Sequence, residues 1–437
     1  MNRLSRADIA VLALGLLGAG NLWARRGAGG GAHAAWTAVF IPGFAMVVVA
    51  GVLCLVAIGR RPALPRPIIC SVGIAAPMLL VPSLTGHPHW LDVAAVVLAA
   101  VPLLPRGWMA WAAAVLGGAI VAATLVSAWT WGYAHIDVFQ EVQGSTQALI
   151  HGQNPYAPVY AIYLDSPLNH PIYGSASFSY GPAVVLLSVP ARLIGDVRLT
   201  LVALNIAILA AALVWLRRAW PGRGFGPTLA ALWASSPFLL LMILSSWTDV
   251  YSFAAFAWWL VLRDRHRGWA MVCLAVALAC KPTMLPLLVP LIFWVRSSWR
   301  ELVRAACGAL VIVAPFALWT GLPQFVYDTV SIYGDLPTRR DSTNLNGLST
   351  VLGHGLVSLS PLLVATVATV VVFTVPRPRD YGDLLLAGAG MLVVALFFAK
   401  QAFINYDFNA AMALLLVIGG GALIPSTRLS NPVHELR

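Results

Sequence analysis

Long apolar stretches, broken by short polar segments, run along most of this chain. A helix needs roughly 20 apolar residues to cross a bilayer and satisfies its own backbone hydrogen bonds there. The pattern therefore predicts an all-α polytopic membrane protein with about 14 transmembrane helices, within a range of about 11 to 14. The predicted stretches are residues 7–23, 36–58, 67–84, 90–104, 108–131, 198–216, 227–244, 248–262, 268–280, 282–295, 301–320, 348–375, 383–399 and 407–424.

One long polar region, residues 132–197, interrupts the apolar pattern. Its first part predicts an amphipathic helix over about residues 137–151, with Asp137, Glu141 and Ser145 on one face. Such a helix would rest on the membrane surface with its acids toward water. The region is therefore predicted to be one large loop that carries interfacial helices.

A second short helix is predicted at residues 180–195, which are apolar but contain Pro182 and Pro190. If this segment crossed the membrane, Arg217, Arg218 and every later basic cluster would change sides. We therefore expect the segment to lie at the membrane interface.

Composition and charge support a membrane protein and set its orientation. The 437 residues are 60% hydrophobic and 10% charged, with a mean hydropathy of +0.83 and a net charge of +11. The basic residues lie in short clusters between apolar stretches, which is typical of cytoplasmic loops and argues against nucleic acid as a partner. No Lys or Arg lies between Arg106 and Arg192. The loop 132–197 is therefore predicted to be external, and both termini of this multi-pass cell-membrane protein cytoplasmic.

Metal and disulfide chemistry have little support in the sequence. The five cysteines lie in or beside apolar stretches and form no CxxC pair, so they are interpreted as small core residues. His135, Asp137 and His151 are close in sequence, and a metal held among them is the minor alternative. We expect neither a metal nor another cofactor.

The acids of the polar loop are the first candidates for chemistry. Asp137 and Glu141 lie beside an apolar stretch, where a carboxylate could act as general base on a substrate hydroxyl. The alternative is a solvated charge in the first turn of a helix, where acids are favoured.

Four cations on the predicted outer side are the second candidates. The only two lysines, Lys281 and Lys400, lie between apolar stretches there, together with Arg339 and Arg340. An anionic lipid phosphate is a natural partner for them, and snorkelling to lipid headgroups is the alternative. The stretches around Lys281 are short and could form one broken pair. Acids and cations together predict a cavity that binds a lipid-linked phosphate and activates an acceptor hydroxyl.

Several short motifs follow one another between residues 130 and 410. They are Asp137 with GQNPY (Gly152 to Tyr156), YGP (Tyr180 to Pro182), the Lys-Pro segment (Lys281 to Met284), RRDSTNLNG (Arg339 to Gly347) and KQAFINYD (Lys400 to Asp407). With these motifs the chain resembles GT-C-type integral-membrane glycosyltransferases. It is similar to glycosyltransferase family 87, the polyprenyl-phosphate-mannose-dependent mannosyltransferases and their bacterial relatives.

The resemblance implies roles for particular residues. It implies that Asp137 is the base, and Glu141 supports or replaces it because this chain lacks an adjacent acidic pair. The cations implied to bind the donor phosphate are Lys281, Arg339, Arg340 and Lys400. Further candidates for substrate binding are Asp249, Asn154, Tyr156, Tyr180 and Tyr406; Asp249 could instead cap a helix, and the tyrosines could belong to an interfacial aromatic belt.

The resemblance also implies partners and a division of the chain. The donor is expected to be a polyprenyl-phosphate-linked sugar, with mannose as the family-level expectation, and direct displacement would invert the anomeric centre. The acceptor is expected to be a glycolipid or another glycan, within a membrane of lipids. Residues 107–425 would form the glycosyltransferase module, residues 426–437 a cytoplasmic tail, and the helices of residues 1–106 have no assigned role. A lipid flippase or other transporter and a membrane scaffold are the competing classes.

Overall fold

A computed structural model describes most of the apolar helices and the polar loop. The described residues are 4–28, 33–79, 97–104, 137–163, 172–234, 236–281, 298–335, 342–351, 378–399 and 404–420, with single positions within 108–122 and 287–290. Most of the predicted stretches 90–104, 108–131, 282–295 and 348–375 lies outside them. Three of the predicted cations, Arg339, Arg340 and Lys400, lie outside them as well.

Helices make up nearly all the regular structure of the described residues. They are α1 Arg6–Ala28, α2 His33–Ala57, α3 Pro67–Leu79, α4 Asp137–Ile150, α5 Pro182–Ile194, α6 Arg198–Ala219, α7 Gly226–Ala234, α8 Pro237–Leu244, α9 Asp249–Leu262, α10 Arg267–Cys280, α11 Ser298–Thr320, α12 Leu322–Val326, α13 Ile332–Asp335, α14 Leu345–Val351, α15 Tyr381–Phe398 and α16 Ile404–Gly420. A short 3₁₀ turn covers Val101–Leu103, and a π-helical turn, Tyr327–Ser331, joins α12 to α13. The predicted stretch 227–244 is two helices, because Pro237 lacks an N–H and begins the second one.

Five of the described helices are long and apolar enough to cross a membrane. These candidate spans are Arg6–Ala24, Phe40–Ala57, Arg198–Ala219, Trp299–Thr320 and Tyr381–Phe398. The helices α5, α9 and α10 are apolar but shorter. A helical membrane protein is thus supported, whereas the larger number of spans stays a prediction.

A short antiparallel strand pair lies in the polar loop. Strand β1, Tyr160–Tyr163, pairs with β2, Ile172–Ala176. Sequence analysis predicted interfacial helices in this loop and no strands, because neither segment alternates apolar and polar residues over a useful length. The Tyr160 hydroxyl lies 3.1 Å from the Ser145 hydroxyl, which joins the strand pair to α4.

The larger of two apolar clusters among the described residues includes the N-terminal helices. It extends from Ile9 in α1 to Ile418 in α16. Helix α1 approaches α2 closely at two glycines, since a Cβ on Gly20 would lie 2.6 Å from the Gly43 carbonyl oxygen. Small residues allow such close contact between apolar helices. The N-terminal helices therefore pack as part of the same body as the C-terminal ones.

Basic residues from distant parts of the chain meet at one end of this body, the arginine end. Arg6 forms ion pairs of 2.6 Å with Asp380 and 2.8 Å with Asp383, both at the start of α15. Arg263 donates to the Tyr381 hydroxyl at 2.9 Å. The Arg61 carbonyl oxygen accepts from the Arg6 N–H at 3.1 Å, and the Arg379 N–H donates to Asp383 at 3.0 Å, so these arginines lie at the same end. The opposite end contains the candidate site.

Candidate active site

Helix α4 carries the two candidate acids one turn apart. Asp137 begins the helix and is partly exposed, and its Oδ1 accepts a hydrogen bond of 2.8 Å from the backbone N–H of Val138. Glu141 is only 3% exposed. The Glu141 Oε2 accepts hydrogen bonds from the Ser179 backbone N–H at 3.1 Å and from the Ser179 hydroxyl at 2.9 Å. The predicted helix is therefore present, and its two acids have different environments.

The surroundings of Glu141 favour its protonated form. Burial is the largest cause, and the nearby charge of Asp137 adds to it, so the pKa of Glu141 rises from 4.5 to about 8. The hydrogen bonds from Ser179 and the positive charge of Lys281 act in the opposite direction. Near neutral pH the Glu141 carboxyl is mostly protonated and can donate a hydrogen bond, which an ionised carboxylate cannot.

A tight turn brings the segment 178–181 against the end of α10. The Gly181 N–H donates to the Cys280 carbonyl oxygen at 2.9 Å. A Cβ at position 181 would overlap the Ala279 carbonyl oxygen, so this approach requires glycine. Pro182 then begins α5 at the first helical position. The YGP motif thereby places Tyr180 beside Lys281.

Lys281 and Asp249 form a buried ion pair at the ends of two helices. Their Nζ and Oδ2 atoms are 2.9 Å apart, with side-chain exposures of 4% and 0%. Asn405 donates to the same Asp249 oxygen at 3.0 Å. The Lys281 Nζ also lies 4.7 Å from the ring centroid of Tyr406 and 5.4 Å from that of Tyr180, both within the range of cation–π attraction.

Tyr333 completes the group of polar side chains. Its hydroxyl donates to the Ser179 carbonyl oxygen at 2.9 Å. The surrounding protein desolvates the phenols of Tyr180 and Tyr333 and raises the pKa of each well above its usual value, and the charges of Glu141 and Asp137 raise both further. Shared electrostatics of this kind require proximity. We call this group the acid–lysine site: Asp137, Glu141, Tyr180, Asp249, Lys281, Tyr333, Asn405 and Tyr406.

Asn154 and Tyr156 lie beside this site and support it through hydrogen bonds. Asn154 Oδ1 accepts from the Tyr156 N–H at 3.0 Å and from the Thr320 hydroxyl at 3.3 Å. The Tyr156 side chain is buried, and its hydroxyl donates to the Tyr180 carbonyl oxygen at 2.8 Å. The GQNPY motif therefore supports the turn that carries Tyr180.

The structure brings together six of the candidates from sequence analysis: Asp137, Glu141, Tyr180, Asp249, Lys281 and Tyr406. Sequence analysis missed Ser179, Tyr333 and Asn405. Ser179 directly precedes the YGP motif, and Asn405 lies inside the KQAFINYD motif. Tyr333 carries no sequence signal.

Across the part of the chain that the structure describes, no group of three His, Cys, Asp or Glu side chains could hold a metal ion.

Long apolar helices with a buried, charged site at one end are typical of membrane proteins, in which such ionisable groups mark a candidate functional site. The model of glycosyltransferase family 87 matches residues 178–425, more than half of the chain, so the chain belongs to this family and is a membrane glycosyltransferase. The matched range begins at Phe178 and leaves α4 outside. None of the curated proteins or solved structures compared with the chain matches it.

Proposed function

We propose that this protein transfers a sugar, mannose by the family expectation, from a polyprenyl-phosphate donor to an acceptor hydroxyl at the outer face of the membrane. The observation that carries the proposal is the acid–lysine site, in which the partly exposed Asp137 lies one helical turn from Glu141, and the positive charge of the buried Lys281 acts on Glu141. Sugar transfer from a lipid phosphate needs both a base for the acceptor and a cation for the leaving phosphate.

Asp137 is the best placed of the three acids to meet an acceptor. Asp249 is fully buried in its ion pair, and Glu141 is buried beneath Ser179. Asp137 is the partly exposed one of the three, so an acceptor hydroxyl can reach its carboxylate. Glu141, one turn away and mostly protonated, would orient Asp137 or the substrate by donating a hydrogen bond.

Lys281 is the described cation best placed for the donor phosphate. An ammonium group has three N–H donors, and the ion pair with Asp249 uses one of them. Asp249 and Asn405 would then hold the lysine in place, so that the phosphate gains a fixed positive charge. Arg339, Arg340 and Lys400 are proposed as additional phosphate contacts on sequence grounds alone.

The proposed reaction is a direct displacement at the anomeric carbon. The acceptor oxygen forms the new bond to this carbon, and its proton passes to the Asp137 carboxylate. The bond between the anomeric carbon and the phosphate oxygen breaks, and its electron pair leaves with the polyprenyl phosphate, whose charge Lys281 stabilises. A single displacement inverts the configuration, so a β-linked donor gives an α-linked product.

The first test is transfer by the purified full-length protein from a panel of radiolabelled polyprenyl-phosphate sugars to membrane glycolipid acceptors. We expect transfer by the wild type and a loss of at least about a hundredfold in Asp137→Asn, as for removal of a general base. Asp196→Asn is the matched control, because Asp196 is paired with Arg198 at 2.6 Å and lies outside the acid–lysine site.

If a folded Asp137→Asn protein still transfers sugar, the role of general base would be assigned to Glu141 or Asp249 instead. An absence of transfer from every donor would instead favour lipid or solute transport, and flux across vesicles would then be measured.

A further inference from the structure

A buried asparagine of the first helix contacts the segment that carries two members of the acid–lysine site. Asn21 in α1 is 1% exposed. Its Nδ2 donates to the Asp407 carboxylate at 2.9 Å, a contact between residues 386 positions apart, and to the Leu17 carbonyl oxygen at 3.0 Å. Asp407 lies in the first turn of α16, directly after Tyr406.

The same asparagine joins a second segment to this place. The Thr343 hydroxyl donates to Asn21 Oδ1 at 3.2 Å. The neighbouring Asn344 and Asn346 each donate to the Ala399 carbonyl oxygen, at 2.7 and 2.9 Å, near the end of α15. Asn21 therefore uses its amide N–H groups and its oxygen to bridge α1, the start of α16 and the segment before α14.

This bridge continues into the candidate site through α16. Asn405 and Tyr406, the two residues before Asp407, contact Asp249 and Lys281 respectively. The first turn of a helix frays easily unless side chains hold it. The hydrogen bond from Asn21 to Asp407 is buried in an apolar setting and therefore restrains that turn.

We propose that Asn21 is a positioning residue of the acid–lysine site and holds the first turn of α16 so that Asn405 and Tyr406 keep the Lys281–Asp249 pair in place. Helix α1 lies outside the range matched by the family model, and the proposal gives this helix a part in the reaction. The inference rests on the proposed function where it assigns Lys281 to the donor phosphate.

The test compares Asn21→Leu, which keeps the volume and removes the hydrogen bonds, with a control at Asn205. Asn205 is also 1% exposed, and its Nδ2 donates to the Leu201 carbonyl at 2.9 Å, the same bond to the residue four positions earlier. We expect Asn21→Leu to raise the donor KM at least about tenfold and to leave the acceptor KM unchanged, because leaving buried polar partners without their hydrogen bonds has this magnitude. We expect Asn205→Leu to change neither constant.

A charge-swap variant provides rescue and covers the case in which Asn21→Leu does not fold. Asn21→Asp alone places two carboxylates against each other and is expected to raise the donor KM. Adding Asp407→Asn again pairs one acid with one amide, now with the acid at position 21 and the amide at position 407. The donor KM of this double variant should return toward that of the wild type. An unchanged donor KM in folded Asn21→Leu, an equal effect of Asn205→Leu, or no rescue by the swap would each overturn the inference.

Hydrogen exchange separates this inference from the proposed function. Amide exchange of residues 404–410, at the start of α16, and of residues 342–351 should accelerate in Asn21→Leu and stay unchanged in Asn205→Leu, whatever the substrate. A wild-type protein that transfers no sugar would refute the proposed function, and the exchange result would still decide whether Asn21 holds these segments. Equal exchange in the wild type and Asn21→Leu would refute the positioning role.

Discussion

Asp137 and Glu141 show how two carboxyl groups on one helix face take different states. Both lie on α4 one turn apart, but Asp137 is partly exposed whereas Glu141 is buried under Ser179. Burial and the charge of Asp137 raise the pKa of Glu141 to about 8. At neutral pH one group is suited to accept a proton and the other to donate a hydrogen bond.

Glu141→Gln should change how stability depends on pH. Because the folded-state pKa of Glu141 is raised from 4.5 to about 8, its contribution is complete below pH 4.5 and is lost as the pH rises through about 8. We expect the Tm of the wild type to fall relative to that of Glu141→Gln between pH 5 and pH 9, measured in detergent.

Asp137→Asn serves as the companion variant for this titration. Removing the Asp137 charge lowers the pKa of Glu141, so the loss of stability should move to lower pH. Parallel Tm curves for the wild type and Glu141→Gln would contradict the assignment of a protonated Glu141. Glu141→Gln should also retain sugar transfer at neutral pH, since glutamine imitates the protonated acid; a complete loss would identify Glu141 itself as the base.

At the scale of elements, the site depends on how the chain enters α5 and leaves α10. The turn at Gly181 contacts the last carbonyl groups of α10, and Lys281 follows directly after that helix. The backbone contact between this turn and the end of α10 therefore sets the distance between the Tyr180 ring and the Lys281 ammonium group.

Gly181→Ala should damage the site through this contact. The added Cβ would overlap the Ala279 carbonyl oxygen, so the turn must move away from α10. We expect a loss of about 1–3 kcal/mol in the free energy of unfolding and a lower rate of sugar transfer. Gly268→Ala, at the other end of α10 with no atom within 4 Å of the added Cβ, is the control. Equal stability and activity in both variants would show that the turn tolerates displacement.

At the scale of the whole molecule, polar groups divide between two ends. The arginine end collects Arg6, Arg263 and the acids at the start of α15, and the acid–lysine site lies toward the other end of the helices. Arg6 and Asn21 are separated by about 22 Å along α1, at about 1.5 Å per helical residue. The positive-inside rule then predicts the arginine end in the cytoplasm and the site outside.

Single cysteines in a variant without the native ones should report this orientation. Ala157→Cys lies in the exposed loop near the site, and Gly224→Cys lies in an exposed turn after Arg217 and Arg218. We expect a membrane-impermeant thiol reagent to label Ala157→Cys on intact cells and to label Gly224→Cys only after permeabilisation. The reverse pattern would place the acid–lysine site in the cytoplasm.

Local spacing in the sequence predicted a helical membrane protein, many of the helix boundaries and the shared face of Asp137 and Glu141. These features depend on hydrophobicity and on the 3.6-residue period, which act over a few turns. Only the tertiary structure decided that Lys281 pairs with Asp249 and that Asn21 reaches Asp407 across 386 positions. The strand pair at residues 160–176 likewise depends on non-local pairing. Such contacts depend on which helices and strands pack together, and the pattern along a single segment carries no record of its distant neighbours.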